Sequence, residues 1–241
     1  MRRTLTGAKV VQLPLPLPKL ACRWGGRRAG AGRKGKPGAM PHTRRPFHDR
    51  AHPTHVTVRA NPALGRLRRV KVITAIMRRL RTVAHDAHLA ARRRTFRVIE
   101  FSVQPDHVHL IVEASSARAL SRGMQGLLAW LARDVNRALE RTGQVFTQRF
   151  HARDLASPRE VRSALVYVLL NSAKHPEWAP DQITVVRAGV DPCSSARWFS
   201  GWRRRSPIPD LVPPVSRPTT WLLTRGWRRR GPIDASERPT T

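Results

Sequence analysis

The stretch "FRVIEFSVQPDHVHLIVEA", residues 96–114, decides the fold. Two apolar runs, 96–103 and 107–114, flank Gln104, Pro105 and Asp106, which are turn residues. Strand-like runs on both sides of a short turn predict a β-hairpin. His107 and His109 interrupt the second run. Because side chains alternate faces along a strand, both imidazoles are expected on one side of the sheet, with Val108 entering the other.

The segments around this hairpin extend it into a sheet with helices. Strand patterns occupy 55–60 and 145–155, helical spacing occupies 67–88 and 119–141 with Gly143 ending the second helix, and a third helix is predicted from the Ser157-Pro158 cap to Pro176. The order is β-α-β-β-α-β followed by a helix. This order predicts an α+β, ferredoxin-like fold: an antiparallel sheet with helices on one face, in which 55–60 and 107–114 are central neighbours.

Composition divides the chain into three parts: a basic arm at 1–52, a catalytic domain at 53–176, and a Pro/Trp/Arg-rich extension at 177–241. The arm has neither helical nor strand period, and we expect it to be disordered and flexible. The extension is expected to be irregular. It nevertheless holds five of the seven tryptophans, so we expect it to pack onto the domain or to contact nucleic acid.

The charge of the chain points to a polyanionic partner. The formal net charge is +31, from 46 Lys and Arg against 15 Asp and Glu, and residues 55–175 alone carry 22 basic and 8 acidic side chains. A basic folded core indicates that the domain itself binds nucleic acid, with an acidic membrane surface as the weaker alternative. The excess of Arg over Lys favours phosphate contacts and stacking on bases.

Two cysteines, Cys22 and Cys193, exclude a disulfide framework and a zinc-finger spacing. We therefore expect a reducing, cytoplasmic setting, with the protein associated with the nucleoid. No run of about 18 apolar residues is present, so no membrane span is expected.

His107 and His109 are candidate metal ligands, because two imidazoles on one strand face can bind one ion. The alternative is a pair of histidines on a solvent-facing sheet. A structural zinc site would need two further ligands, and neither cysteine lies near in sequence. Tyr167, the single tyrosine, precedes Asn171 by one helical turn, so phenol and carboxamide share a face. The alternative for Tyr167 is that it lines the core.

Together these residues describe a reaction. Mg²⁺ or Mn²⁺ held by His107, His109 and the carboxamide oxygen of Asn171 would bind a scissile phosphate, and Tyr167 would attack the phosphorus. The products would be a covalent phosphotyrosine and a free hydroxyl.

The candidates for binding the DNA strand are Arg149, Arg153 and Lys174. Phe150 and His151 are interleaved with the two arginines and are expected on the alternate face or at the edge of the strand. A solvated basic face is the alternative for each cation.

The segments "QPDHVHLIVEA", "GQVFTQRFHARDL" and "REVRSALVYVLLNSAKH" together resemble the single-tyrosine HUH transposases, specifically the REP-associated tyrosine transposases and their IS200-like relatives. The resemblance covers about 53–176, with His107-Val108-His109 as the HUH element and Tyr167 to Asn171 on the tyrosine helix. It implies nicking and strand transfer on single-stranded or hairpin DNA by a monomer or homodimer, with the 5′ phosphate kept on tyrosine. A non-catalytic or domesticated nucleic-acid binder on the same fold is the alternative.

Overall fold

A computed structural model describes residues 48–171, 190–204 and 211–239, all within one compact unit, Met40–Thr241. Its strands are β1 (Thr54–Arg59), β2 (Phe96–Val103), β3 (His107–Ala114) and β4 (His151–Asp154). Its helices are α1 (Val70–His85), α2 (Ala90–Arg93), α3 (Ala117–Ala138), α4 (Pro158–Leu170) and α5 (Trp221–Thr224). Short 3₁₀ turns lie at Pro62–Leu64, Ala87–Leu89, Ser195–Trp198 and Gly226–Arg230.

The four strands form one antiparallel sheet in the order β2-β3-β1-β4. The hairpin predicted at 96–114 is confirmed, since Phe96 pairs with Ala114 and Val103 with Val108. Strands β1 and β3 are central neighbours, with Thr57 opposite His109. This strand order is that of the split βαβ arrangement, and the predicted α+β class is confirmed.

Helices cover both faces of the sheet. Helices α1 and α3 pack on the face that carries Val108, Leu110 and Val112, and these residues form the main core. Helix α4 packs on the opposite face, against Ile99 and Ile111. The expectation of helices on one face is confirmed for α1 and α3 of the βαββαβ core, and the additional helix α4 covers the histidine face. Apolar side chains on the second face give α4 a surface to bury.

Several predicted element bounds are wrong. Helix α1 begins at Val70, because the chain first makes a 3₁₀ turn after the Asn61 cap. Helix α3 ends at Ala138, before the predicted Gly143. Glu140, two residues later, has a φ of 51°, and Gly143 lies in the following turn with a φ of 100°.

The predicted strand at 145–155 shrinks to β4. Before it, Phe146 makes only an isolated bridge to Ala60. Strand β1 offers this edge only six residues, Thr54–Arg59, and β4 pairs with four of them. Helix α4 was predicted to reach Pro176, and the residues after 171 in that prediction lie outside the described part of the chain.

Most buried side chains of the described C-terminal extension pack on the sheet face that α4 occupies, whereas Cys193 and Val215 pack with the main core. Trp227 is fully buried in this second core, and Trp202 is largely buried there. The Glu113 carboxylate of β3 anchors the extension by accepting hydrogen bonds from the backbone and hydroxyl groups of Thr219 and Thr220. Burial opposes ionisation of Glu113, but these hydrogen bonds hold its pKa below the usual value. The described parts of the extension thus form a covering layer.

Glu100 on β2 lies beneath this layer with its carboxyl group buried. The Ser195 hydroxyl donates a hydrogen bond to Glu100 Oε2 at 2.5 Å, and the Phe101 backbone N–H donates to the same Ser195 oxygen. Burial raises the pKa of Glu100 to about 8, while the hydrogen bond from Ser195 opposes that rise. The group is therefore protonated in the folded protein at neutral pH.

Replacing Glu100 by glutamine is expected to stabilise the fold increasingly as pH rises. Between pH 4.5 and about 8 the unfolded chain loses a proton that the folded chain keeps, so the wild type loses up to about 1.4 kcal/mol of stability per pH unit. Glu100→Gln is neutral and escapes this loss. Urea unfolding at acidic and mildly alkaline pH measures the difference, with the exposed Glu140→Gln as control. A stability difference that does not change with pH would contradict the assignment.

In the described ranges, no helix combines the length and apolar character that crossing a bilayer requires.

Candidate active site

His107 and His109 project from β3 onto the face that α4 covers. Their Nε2 atoms lie 2.8 Å apart, and their rings meet nearly at right angles with centroids 4.5 Å apart. His109 is only 4% exposed, whereas His107 reaches the surface. The solvent-facing alternative therefore does not describe His109.

The turn before β3 fixes the tautomer of His107. Its Nδ1 lies 2.6 Å from Asp106 Oδ1, and because an ionised carboxylate only accepts hydrogen bonds, Nδ1 carries the proton. In neutral His107 the Nε2 lone pair is then directed at His109. Asp106 precedes the strand, which begins at His107, so it reaches the imidazole from the turn and does not project behind the sheet.

Strand β1 supplies two side chains that the sequence reasoning missed. Thr57 Oγ1 lies 3.1 Å and His55 Nε2 lies 3.2 Å from His109 Nδ1. When either group accepts the Nδ1 proton of His109, His109 Nε2 carries a lone pair and lies 2.8 Å from His107 Nε2. The signal was present in "HVTV": His55 and Thr57 alternate onto one strand face, and β1 was predicted to neighbour β3.

The buried histidines are neutral at neutral pH. Burial lowers the pKa of His109 to about 2, with His107 and His55 adding to the effect. Burial likewise lowers the pKa of His55 to about 4, helped by the nearby charge of Arg153 and by His151. Neutral imidazole is the form that ligates metal ions, so the site keeps His109 ready for an ion without a deprotonation step.

Helix α4 carries Tyr167 to this cluster. The side chain of Ser157 caps the helix by accepting a hydrogen bond from the Glu160 N–H, and Pro158 occupies its first turn. The Tyr167 ring meets His109 and His55 edge-on, with centroid distances of 5.0 and 5.8 Å. The Tyr167 ring and the histidine pair thus lie together within one chain.

Asn171 ends α4 one turn after Tyr167, and only 3% of its surface is exposed. Its helical backbone conformation continues the face on which Tyr167 lies. Asn171 thus lies buried one turn beyond the tyrosine at the end of α4.

The histidine pair fits a divalent ion. Two nitrogens bound at about 2.0–2.1 Å and at a right angle to each other would lie about 2.9 Å apart, close to the 2.8 Å between the Nε2 atoms. No group of three or more His, Cys, Asp or Glu residues in the described ranges is arranged to hold a metal. Any ion here therefore depends on oxygen donors such as Asn171, phosphate or water to complete its coordination. Two imidazoles with oxygen donors suit Mn²⁺ better than Mg²⁺.

The residues predicted to bind DNA lie at different places relative to the histidine face of the sheet. Arg153 lies on β4 opposite His55, on the histidine face, and pairs with Glu160 at 2.8 Å while remaining exposed. His151 lies on the same face as Arg153, which corrects its predicted place on the alternate one. Arg149 is exposed just before β4.

Phe150 is buried in the main core and is not available to stack on a base from the surface. Its apolar ring faces the α1 and α3 side, as the alternation of a strand dictates. Lys174 lies outside the described part of the chain.

Comparison with known proteins gives one family match. The model of the family "Transposase IS200 like" matches residues 64–167, a range that includes both histidines and ends on Tyr167. No curated protein matches the chain. A solved structure described as the REP-associated tyrosine transposase bound to a REP hairpin is similar at 15% identity and a TM-score of 0.48, covering 75% of this chain and 99% of that one. The family match is confined to residues 64–167, and over that range it confirms the resemblance seen in the sequence.

Proposed function

We propose that the protein nicks single-stranded or hairpin DNA and transfers the strand through a covalent 5′-phosphotyrosine at Tyr167. The observation that carries the proposal is the approach of the Tyr167 ring to within 5.0 Å of His109, between ring centroids, beside the Nε2 atoms of His107 and His109. The sequence contains no other tyrosine.

Tyr167 acts as the nucleophile in this proposal. Its Oη forms a bond to the scissile phosphorus, the bond from phosphorus to the 3′ oxygen breaks, and the phenolic proton lost is balanced by the proton that the 3′ oxygen gains. The 5′ phosphate stays on Tyr167. In strand transfer a second 3′ hydroxyl attacks this phosphotyrosine and restores the phosphodiester. One phosphoester is exchanged for another in each step, so no ATP is required.

His107, His109 and Asn171 would hold the divalent ion, Mg²⁺ or Mn²⁺, and a bound ion would polarise the phosphate and stabilise its developing charge. His55 and Thr57 position His109 by contacting its Nδ1. Asp106 positions His107 in the same way from the other side.

Arg149, Arg153 and Lys174 are proposed to bind the phosphates of the strand. Arg153 is the best placed of the three, because it lies beside His55 on the site's face. We further propose that residues 53–176 act as the catalytic domain, with 1–52 as a basic arm and 177–241 as an extension. The protein would act as a monomer or homodimer in the cytoplasm, associated with the nucleoid.

Trapping the intermediate tests this function. Wild-type protein incubated with an end-labelled single-stranded DNA library that contains hairpins should form a covalent adduct with Mn²⁺ or Mg²⁺ and none with chelator. Peptide mapping should find the DNA on Tyr167. Binding of the library without an adduct under any divalent ion would sink the proposal and favour the non-catalytic binder.

A further inference from the structure

A cavity lies on the sheet face opposite the histidines and Tyr167. It has a volume of about 550 Å³ and lies between the end of α1, the start of β2 and the first turns of α3. Its floor is apolar and aromatic, formed by Phe96, Leu127 and Trp130 with their neighbours. The volume is within the range of small-molecule and cofactor sites. None of the residues assigned to the reaction lines it.

Arginines form the rim of this cavity. They are Arg92, Arg93, Arg118 and Arg122, and the residues that line the cavity in the described ranges include no carboxylate. Four like charges around one concavity repel one another unless an anion enters. Hydroxyl groups of Thr95, Ser115 and Ser116 add hydrogen-bonding capacity at the same rim.

The four arginines differ in whether other groups of the protein contact their guanidinium groups. Arg93 Nη1 donates to the Asp86 carbonyl, and the Arg92 guanidinium lies 5.1 Å from the centre of the Trp130 ring. Arg118 and Arg122 are exposed, and within the described ranges they have neither a hydrogen bond nor an ion pair. They lie one helical turn apart on α3, so both forks face the same opening.

Close packing shapes the wall of the cavity. The Phe96 ring lies against Gly123 of α3 so closely that a Cβ at residue 123 would lie 2.2 Å from the ring. The small residue lets α3 approach the start of β2. Arg122, next to Gly123, is thereby held at the rim.

We infer that this cavity is a second binding site for single-stranded DNA, taking one nucleotide with its base over the apolar floor and its flanking phosphates on Arg118 and Arg122. An aromatic floor ringed by cations matches a base flanked by two phosphates. The inference goes beyond the proposed function and does not depend on cleavage.

The distance between the two sites limits how one strand reaches both. Six residues of β3 separate His109 from Ser115, which is about 20 Å at strand rise. Because the two sites lie on opposite faces of the sheet, a stacked strand needs more than about six nucleotides to reach both. The cavity would therefore hold DNA well away from the reacting phosphate.

The test compares two matched pairs of substitutions on α3. Arg118→Gln with Arg122→Gln removes the rim charges, and Arg133→Gln with Arg137→Gln removes two exposed charges with the same spacing further along the helix. The probe is a labelled oligothymidylate of about 16 nucleotides, the upper end of single-strand site sizes.

The substitutions at Arg118 and Arg122 should weaken binding by at least about tenfold. They should also reduce the slope of log K against log salt concentration by about 1.4 in magnitude, as expected for two lost phosphate contacts. The matched pair should change affinity much less. Photocrosslinking with bromodeoxyuridine in the probe should label peptides containing Phe96 or Trp130 in the wild type, and not in the rim variant.

Equal losses of affinity in the two variants, or crosslinks confined to the histidine face, would overturn the inference. Thermal melting of both variants verifies that they are folded. The proposed function fails separately, through the absence of a covalent adduct in wild-type protein that still binds DNA.

Discussion

Tyr167→Phe is expected to form no covalent adduct with DNA while still binding it. The substitution deletes only the attacking oxygen and leaves the ring that contacts His109 and His55. Loss of a catalytic nucleophile costs on the order of 10⁴-fold in rate or more, which places the residual reaction below detection. Denaturing electrophoresis of the labelled DNA measures the adduct, and a gel shift under native conditions measures binding.

The uniqueness of Tyr167 makes this result decisive, because the sequence holds no second tyrosine that could substitute for it. An adduct that persists in Tyr167→Phe at the wild-type level would assign the chemistry to another nucleophile. Thermal unfolding within a few degrees of the wild type would show that the lost adduct does not reflect a lost fold. A variant that neither melts cooperatively nor binds DNA would be replaced by Tyr167→Trp as the test.

The strongest sequence patterns predicted the hairpin and the fold class. Strands β2 and β3 have the predicted bounds, because both are apolar runs on each side of turn residues. The same alternation placed His107 and His109 on one face and Val108 in the core. Short-range rules suffice where the pattern is local.

The parts that depend on distant contacts could not be predicted in this way. The short fourth strand is limited by the length of its partner β1, and the burial of Phe150 follows from packing against helices far away in sequence. His55 and Thr57 join the site only through the pairing of β1 with β3. The extension becomes a covering layer because Glu113 accepts hydrogen bonds from residues more than a hundred positions later.

His107→Gln and His109→Gln are expected to lose metal-dependent cleavage. The two Nε2 atoms lie 2.8 Å apart, and removing either imidazole leaves one nitrogen donor at the site. An ion that stabilises transition-state charge contributes several kcal/mol, so its loss should lower the single-turnover rate by about a thousandfold. Mn²⁺ should raise the melting temperature of the wild type and leave that of both variants unchanged.

His88→Gln is the matched control for this pair, since it removes an exposed histidine from the 3₁₀ turn that precedes α2, far from the site. It should keep both the Mn²⁺ response and the cleavage rate. A wild-type Mn²⁺ response that survives in His107→Gln and in His109→Gln would place the ion elsewhere. His109→Gln should also melt lower than His107→Gln, because it disturbs a buried side chain that Thr57 and His55 contact.

Mixing the two kinds of inactive variant tests whether one chain makes the whole site. Tyr167 and His109 of the same chain already face each other at 5.0 Å between ring centroids. A mixture of Tyr167→Phe and His109→Gln should therefore remain inactive, because every chain in it lacks either the nucleophile or a metal ligand. Recovery of adduct in the mixture would mean that the tyrosine of one chain serves the histidines of another, and that α4 moves away from the position it occupies here.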